Sequence, residues 1–289
     1  MAGVSGAAVA DATIPRSDIA AGSGTLRVVR HGSRSVASRA LAGSPLRFLT
    51  PSNHGDAAWV FTSTYGGGLL GGDAVRLQID VEDEAALLLQ TQASTKVYRS
   101  PRGASSTLDA RVGERARLLV LPDPTVCFRG ASFEQTQAVD VRRSGSIVLM
   151  DWMTAGRRAS GERWLFDRYA SRLTIRYDGR VVFHDALLLS PSEGPLAERM
   201  GRFDCVCLIV LVGVALRVHA ASACNGIAGL ETSRRAELLT AAAPLGPNGE
   251  AGCVIRMAGR SVEEVGRAAR TWLHFVPGLL GDDPWARKW

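Results

Sequence analysis

Three short stretches of this sequence hold residues that could do chemistry. In Tyr65-Gly66-Gly67-Gly68-Leu69-Leu70-Gly71-Gly72-Asp73, the spacing Gly66-x-Gly68-x-x-Gly71 formally matches a dinucleotide-binding turn. Such a turn holds a pyrophosphate only when a helix follows, because the helix N-terminus supplies the amides. Here Val75, Leu77, Ile79 and Val81 alternate with Arg76, Gln78 and Asp80, the period of a half-buried strand. The stretch therefore reads as a turn between strands, with glycines providing positive φ and Asp73 bonding local amides.

The second stretch is Leu89-Gln90-Thr91-Gln92-Ala93-Ser94-Thr95-Lys96-Val97-Tyr98-Arg99-Ser100. It closes an apolar run with polar side chains and two cations, which fits either a buried polar ladder or a surface loop. In the third, Asp151-Trp152, Gly156-Arg157 and Gly161-Glu162 bring a carboxylate, a guanidinium and a second carboxylate close in sequence. That pattern suits a hairpin with a surface ion pair or a working site. A thiol set is also conceivable. Cys205 and Cys207 would point to one face of a strand, with His219 and Cys224 further along. Their neighbours Val206, Leu208, Ile209 and Val210 favour thiols packed as small hydrophobes. The five histidines make no ligand-spaced pair, and no Gly-x-Ser-x-Gly elbow or Ser/His/Asp spacing is present.

The elements that must position these residues are mostly strands. Short apolar or alternating runs at Ala86–Gln90, Arg117–Leu121, Ala138–Arg142, Ile147–Met150, Arg172–Tyr177 and Arg180–Leu189 are separated by Gly, Pro or Asp turn signals. They predict an all-β body of stacked or sandwiched sheets, and no fixed sequence period marks it as a solenoid. Helices are expected late. Ser261 and Glu264 form a capping box ahead of Val262, Val265, Ala269, Leu273 and Val276, with Pro277-Gly278 as the stop. A weaker helix is predicted from Glu231 to Ala243, ended by Pro244. Residues 1–24, rich in Ala, Gly and Ser, read as a flexible leader, and 25–289 as a single β-rich domain.

Composition narrows the class. A hydrophobic share of 46% against 21% charged residues excludes global disorder. The net charge of +6 is spread along the chain with no basic run, so nucleic acid is not an expected partner. The most apolar run, Cys205 to Leu216, is shorter than the roughly 20 residues a membrane helix needs. Five cysteines, an odd number, argue against a disulfide framework and favour a reducing, cytoplasmic setting.

In order and spacing the three stretches resemble the urease accessory D (UreD/UreH) family. Its pattern is a Gly-Gly-x-x-Gly-Gly-Asp turn, a Thr-Gln-x-x-Thr-Lys-Val-Tyr-Arg block, a Leu-Pro with an aromatic-Gly-Ala, and Gly-Arg…Gly-Glu. Here these read Gly71-Gly72-Asp73, Thr91-Gln92…Lys96-Val97-Tyr98-Arg99, Leu121-Pro122…Phe128-Arg129-Gly130-Ala131, and Gly156-Arg157…Gly161-Glu162. The likeness runs from about Thr25 to Leu279-Leu280-Gly281 and the final Trp289. The acid after Leu-Pro is displaced to Asp123, Asp151 stands where the pattern has Glu, and Val214 to Leu230 diverges.

The resemblance implies a right-handed β-helix-like body with C-terminal helices. It implies a non-catalytic scaffold between the urease structural subunits, accessory protein F and the nickel-carrying GTPase, accessory protein G. No tightly bound cofactor is implied, only transient Ni²⁺. Carboxylates release such a metal more readily than thiolate clusters, so Asp73, Asp151 and Glu162 are the expected nickel path. Gly71, Gly72, Thr91, Gln92, Lys96, Tyr98, Arg99, Gly156, Arg157 and Gly161 are expected to order the motifs or touch partners. The competing readings are a β-solenoid carbohydrate hydrolase or lyase using Asp73, Asp151 and Glu162, and a nucleotide-binding protein using the glycine turn.

Overall fold

The computed structural model describes residues 19–286. The described residues open with an antiparallel hairpin, β1 (Ser23–His31) and β2 (Arg34–Ala42), then cross to a second sheet as β3 (Leu46–Leu49) and β4 (Ala58–Thr64). The chain then passes back and forth between the sheets. β5 (Ala74–Val81), β8 (Ala104–Val112), β11 (Ser132–Val141) and β13 (Arg168–Tyr177) add parallel strands to the first sheet. Alternating with them, β6 (Ala86–Thr91), β9 (Arg117–Val120) and β12 (Ser146–Thr154) add parallel strands to the second. Short strands β7 (Thr95–Val97) and β10 (Thr125–Cys127) lie between turns of this coil and pair with each other. β14 (Arg180–Leu189) closes the first sheet, while β15 (Cys205–Gly213), β16 (Leu238–Leu245) and β17 (Gly252–Gly259) complete the second with antiparallel pairs.

In-register stacking makes the core. Val28, Val81, Val112 and Val141 pair one beside the next across the first sheet, and all are buried. Opposite them, Val60, Leu89, Val120, Leu149 and Val210 form a second row, and these rows belong to one apolar cluster. The outer face of the second sheet is buried as well. It lies under α2 (Arg217–Ala228), α3 (Val262–Trp272) and α4 (Val276–Leu280), in a cluster containing Leu88, Leu119, Ile209, Ile255, Val265 and Val276. A short helix, α1 (Leu196–Arg199), buries Leu196 in the third cluster. The Ser261 hydroxyl accepts a bond from the Glu264 amide at 3.1 Å, so the capping box starts α3 as the sequence predicts.

The structure corrects two expectations. The stretch predicted as a helix over 231–243 instead carries β16, whose residues pair along the whole of β17. Its alanines favour a helix in isolation, but strand pairing and the half-buried face decide the outcome. Pro244 is tolerated because β16 is the sheet's edge. The helix lies earlier, in the divergent stretch, where α2 buries Ala220, Ala223 and Ile227. Of the expected leader, residues 1–18 lie outside the described residues, and Ser23 and Gly24 already belong to β1. Trp289 also lies outside them.

Leu118 stands fully buried between Leu87 and Ile147 in the row of the second sheet that faces the first. Leu118→Ala is expected to lower stability by about 3 kcal/mol, read as a shifted urea midpoint with an unchanged slope.

Candidate functional site

The interior changes character along each coil. On β5 and β8 the inward positions Leu77 and Leu108 are apolar, but the position in register on β11 is Gln137. One step further along the strands, Val75, Ser106, Gln135 and Ser171 stand side by side. This polar patch faces Asp151 on β12. The Oδ2 atom of Asp151 accepts bonds from Gln135 Nε2 at 2.8 Å, Ser171 Oγ at 3.0 Å and Gln137 Nε2 at 3.3 Å. Two cavities meet at this carboxylate. One, of about 350 Å³, is lined by Thr62, Thr91, Ser106, Asp123 and Gln137; the other, of about 620 Å³, by Ser171, Asp185, Leu187, Met200 and Arg256. Asp151 and Trp152 line both. Asp151 is half-buried, and the surface it keeps faces the two cavities. Burial raises its carboxyl above the ordinary range; the Gln135 and Ser171 donors oppose this, and nearby Asp185 reinforces it. Across the second cavity, Arg256 Nη2 meets Asp185 Oδ1 at 2.7 Å and ties β17 to β14.

The sequence motifs assemble at a corner of the coil. Leu69 pairs with Val97, Val97 with Cys127, and Val126 with Thr154, so four successive turns stack there as short parallel rungs. The glycine-rich turn, the Thr-Gln…Lys-Val-Tyr-Arg block, the Phe-Arg-Gly-Ala segment and Gly-Arg…Gly-Glu are these rungs and the turns beside them. No helix follows the glycines, as the alternation beyond them predicts. Asp73 Oδ2 accepts the Leu70 amide at 2.8 Å and fixes the turn. A Cβ on Gly71 would lie 1.5 Å from Ser100 Oγ, so this position admits only glycine, while Gly72 takes φ +90°. Thr91 Oγ1 accepts the Asp123 amide at 2.7 Å and anchors the Leu-Pro-Asp-Pro segment. Gln92 lines the first cavity.

Arg157 and Glu162 form an ion pair across a one-turn 3-10 segment, Arg158–Ser160. Gly156 and Gly161, at φ +112° and +71°, make the reversals that allow it. Glu162 also accepts the Arg129 amide at 3.2 Å, and Arg157 lies over the Phe128 ring at 4.2 Å. Hydrogen bonding from Arg157, ahead of the Arg129 amide, holds the Glu162 carboxyl below its ordinary range.

The three acids singled out in the sequence are thus not gathered at one centre. Asp73 braces a turn, Glu162 is engaged by Arg157, and Asp151 stands between the cavities. Among the described residues, no three of His, Cys, Asp or Glu come together closely enough to hold a metal ion. Cys205 and Cys207 are buried in the apolar cluster beneath the helices, and burial pushes the Cys205 thiol up to about 12. They therefore act as core residues. Asp185, which lines the second cavity, was not singled out in the sequence, and Asp123, which lines the first, stood out there only as the displaced acid after Leu-Pro. Gln135 and Gln137 carried a usable signal: they continue, with polar side chains, the alternation of Phe133, Val139 and Val141.

The family model described as "UreD urease accessory protein" matches residues 20–289. This chain belongs to that family. It is 49% identical to urease accessory protein UreD of Sorangium cellulosum (strain So ce56), over 93% of this chain and 85% of that protein. It is 42% identical to the UreD of Anaeromyxobacter sp. (strain Fw109-5), over 94% and 91%. To urease accessory protein D of Arabidopsis thaliana it is 31% identical, over 91% and 99%. Family membership thus extends across both the corner motifs and the cavity residues. No helix among the described residues is long and apolar enough to cross a membrane.

Of the acids singled out in the sequence, Asp151 and Glu162 carry opposite pH signatures. Asp151, with its native value raised, loses stabilisation as pH rises from the ordinary aspartate value of about 3.9. Asp151→Asn is therefore expected to raise the unfolding temperature at neutral pH, with the gain shrinking toward pH 4. Glu162, with its native value lowered, stabilises fully above about pH 4.3 and stops doing so as pH falls through its native value. Glu162→Gln is expected to cost about 1 kcal/mol at neutral pH, the half-exposed Arg157 being partly screened, and progressively less in acid. Thermal unfolding scans of both variants across this range check the two signs.

Proposed function

We propose that this chain is a non-catalytic urease maturation scaffold. It docks on the urease structural subunits, works with accessory protein F and the GTPase accessory protein G, and passes Ni²⁺ toward the urease active site. Family membership supports the urease accessory role, as the matched relatives carry that name. The nickel path rests on one observation: two adjoining cavities share Asp151, with Asp123 lining the first and Asp185 the second. Oxygen ligands spaced along such cavities hold a divalent cation weakly at each step and let it leave. At Asp151 the three donors converge on Oδ2, and among the described residues Oδ1 receives none. Keeping a carboxylate there against the cost of burial is the kind of local penalty found where function requires it. In this reading Asp73 and Glu162 serve the path by holding its corner together. The coil's hand is taken as right-handed, which twisted parallel strands favour.

The reading is tested in a host whose urease depends on this chain. Asp151→Asn is expected to leave the chain folded and associated with its partners while urease nickel content, measured by plasma mass spectrometry, falls severalfold. Full nickel loading by Asp151→Asn would remove Asp151 from the path. Full loading after deletion of the chain would remove the maturation role itself.

A further inference from the structure

The corner that carries the motifs also presents an outward surface that its internal bonding does not explain. Val97 and Cys127 point inward and are buried, so their neighbours on each rung point out. One register step beyond the Leu69–Val97–Cys127 row, Leu70, Tyr98 and Phe128 line up across three turns of the coil. Leu70 is 58% exposed, and Tyr98 and Phe128 are partly exposed. The two rings meet edge to face with centroids 5.0 Å apart. Arg157 caps the row from over Phe128, where Glu162 fixes it. Gly68 provides the seat: a Cβ there would lie 2.6 Å from the Tyr98 ring. Tyr98 is therefore held in place before any partner arrives.

Beside this row stand Lys96 and Arg99, both exposed, and neither has an ion-pair partner among the described residues. The Arg99 stem runs along Gly130, bringing its guanidinium to the row's flank. Two acids stand near the row and both are engaged: Glu162 by Arg157 and the Arg129 amide, and Asp73 by the Leu70 amide. A preordered Tyr, an Arg and an aromatic ring within a cationic border have the composition of a protein-binding hot spot. The Phe128 ring face is covered by Arg157, which argues against a stacking platform for nucleic-acid bases. A second copy of this chain, at net charge +6, would bring like charge to the border.

We propose that the Leu70–Tyr98–Phe128–Arg157 row is a docking surface for an acidic protein face. That face seats an apolar side chain on Leu70 and Tyr98 and sets carboxylates against Lys96 and Arg99. The proposal rests on the scaffold reading above and assigns one of its contact surfaces.

The test measures binding of the full-length chain to purified urease structural subunits and, separately, to accessory protein F, by biolayer interferometry at low and moderate salt. With one of the two, the parent is expected to bind more weakly as salt rises. For that partner, the exposed double reversal Lys96→Glu/Arg99→Glu is expected to weaken binding by about tenfold or more. Leu70→Asp, also on the surface, is expected to weaken it similarly; thermal scans verify that both variants are folded. Unchanged binding by both folded variants overturns this surface while leaving the scaffold reading intact. Failure of the parent to bind either protein overturns the scaffold reading and the surface with it. Binding of single-stranded RNA more tightly than either protein, lost on the same reversals, overturns the choice of a protein partner.

Discussion

Everything in this molecule hangs on the lateral pairing of like with like between consecutive turns of the coil. When Val81 pairs between Val28 and Val112, the backbone hydrogen bonds that satisfy the strands also place their inward side chains in contact. A register slip of one residue would turn every inward side chain outward. The apolar rows therefore specify the register as well as the core. Once the register is set, the corners are set too, and residues about thirty positions apart in sequence become neighbours. The Leu69–Val97–Cys127 rungs are a by-product of the same stacking that buries the valines.

The same constraint makes the polar interior possible. A coil with a fixed register can exchange one inward position for a polar residue without disturbing those above and below. Gln137 takes the place in register with Leu108, and Ser106 and Ser171 flank Gln135. These exchanges are confined to one end of the strands, while Val139 and Val141 keep the other end apolar. The result is a body whose stability and whose interior chemistry occupy different parts of the same strands. Asp151 can be half-buried and hydrogen-bonded because the remaining core does not depend on that position.

Much of the fold was legible in the sequence where one face of an element met solvent. β5 alternates because its outer face carries Arg76, Gln78 and Asp80, and α3 declares itself through Ser261 and Glu264. Legibility failed where an element is covered on both sides or governed by its neighbours. Ile147-Val148-Leu149-Met150 of β12 is apolar on both faces, one toward the first sheet and one toward the helices. Without alternation there is nothing to show that Asp151 points inward rather than toward Arg157. β16 misled for a related reason, since its alanines have a local preference that pairing with β17 overrides. At the candidate site, motif order identified the right segments, but only the coil shows that they are successive rungs and that Glu162 serves Arg157.

Stacking by coils also shapes how the chain can change over generations. The immediate neighbours of Tyr98 in sequence, Val97 and Arg99, face a different environment, whereas the groups that touch its ring come from Gly68 and Phe128. A replacement at 98 is compensated one turn back or one turn ahead along the coil, some thirty residues away, and seldom by the residue next door. Covariation in this lineage should accordingly carry a beat of roughly thirty residues, an echo of the coil in a sequence with no visible repeat.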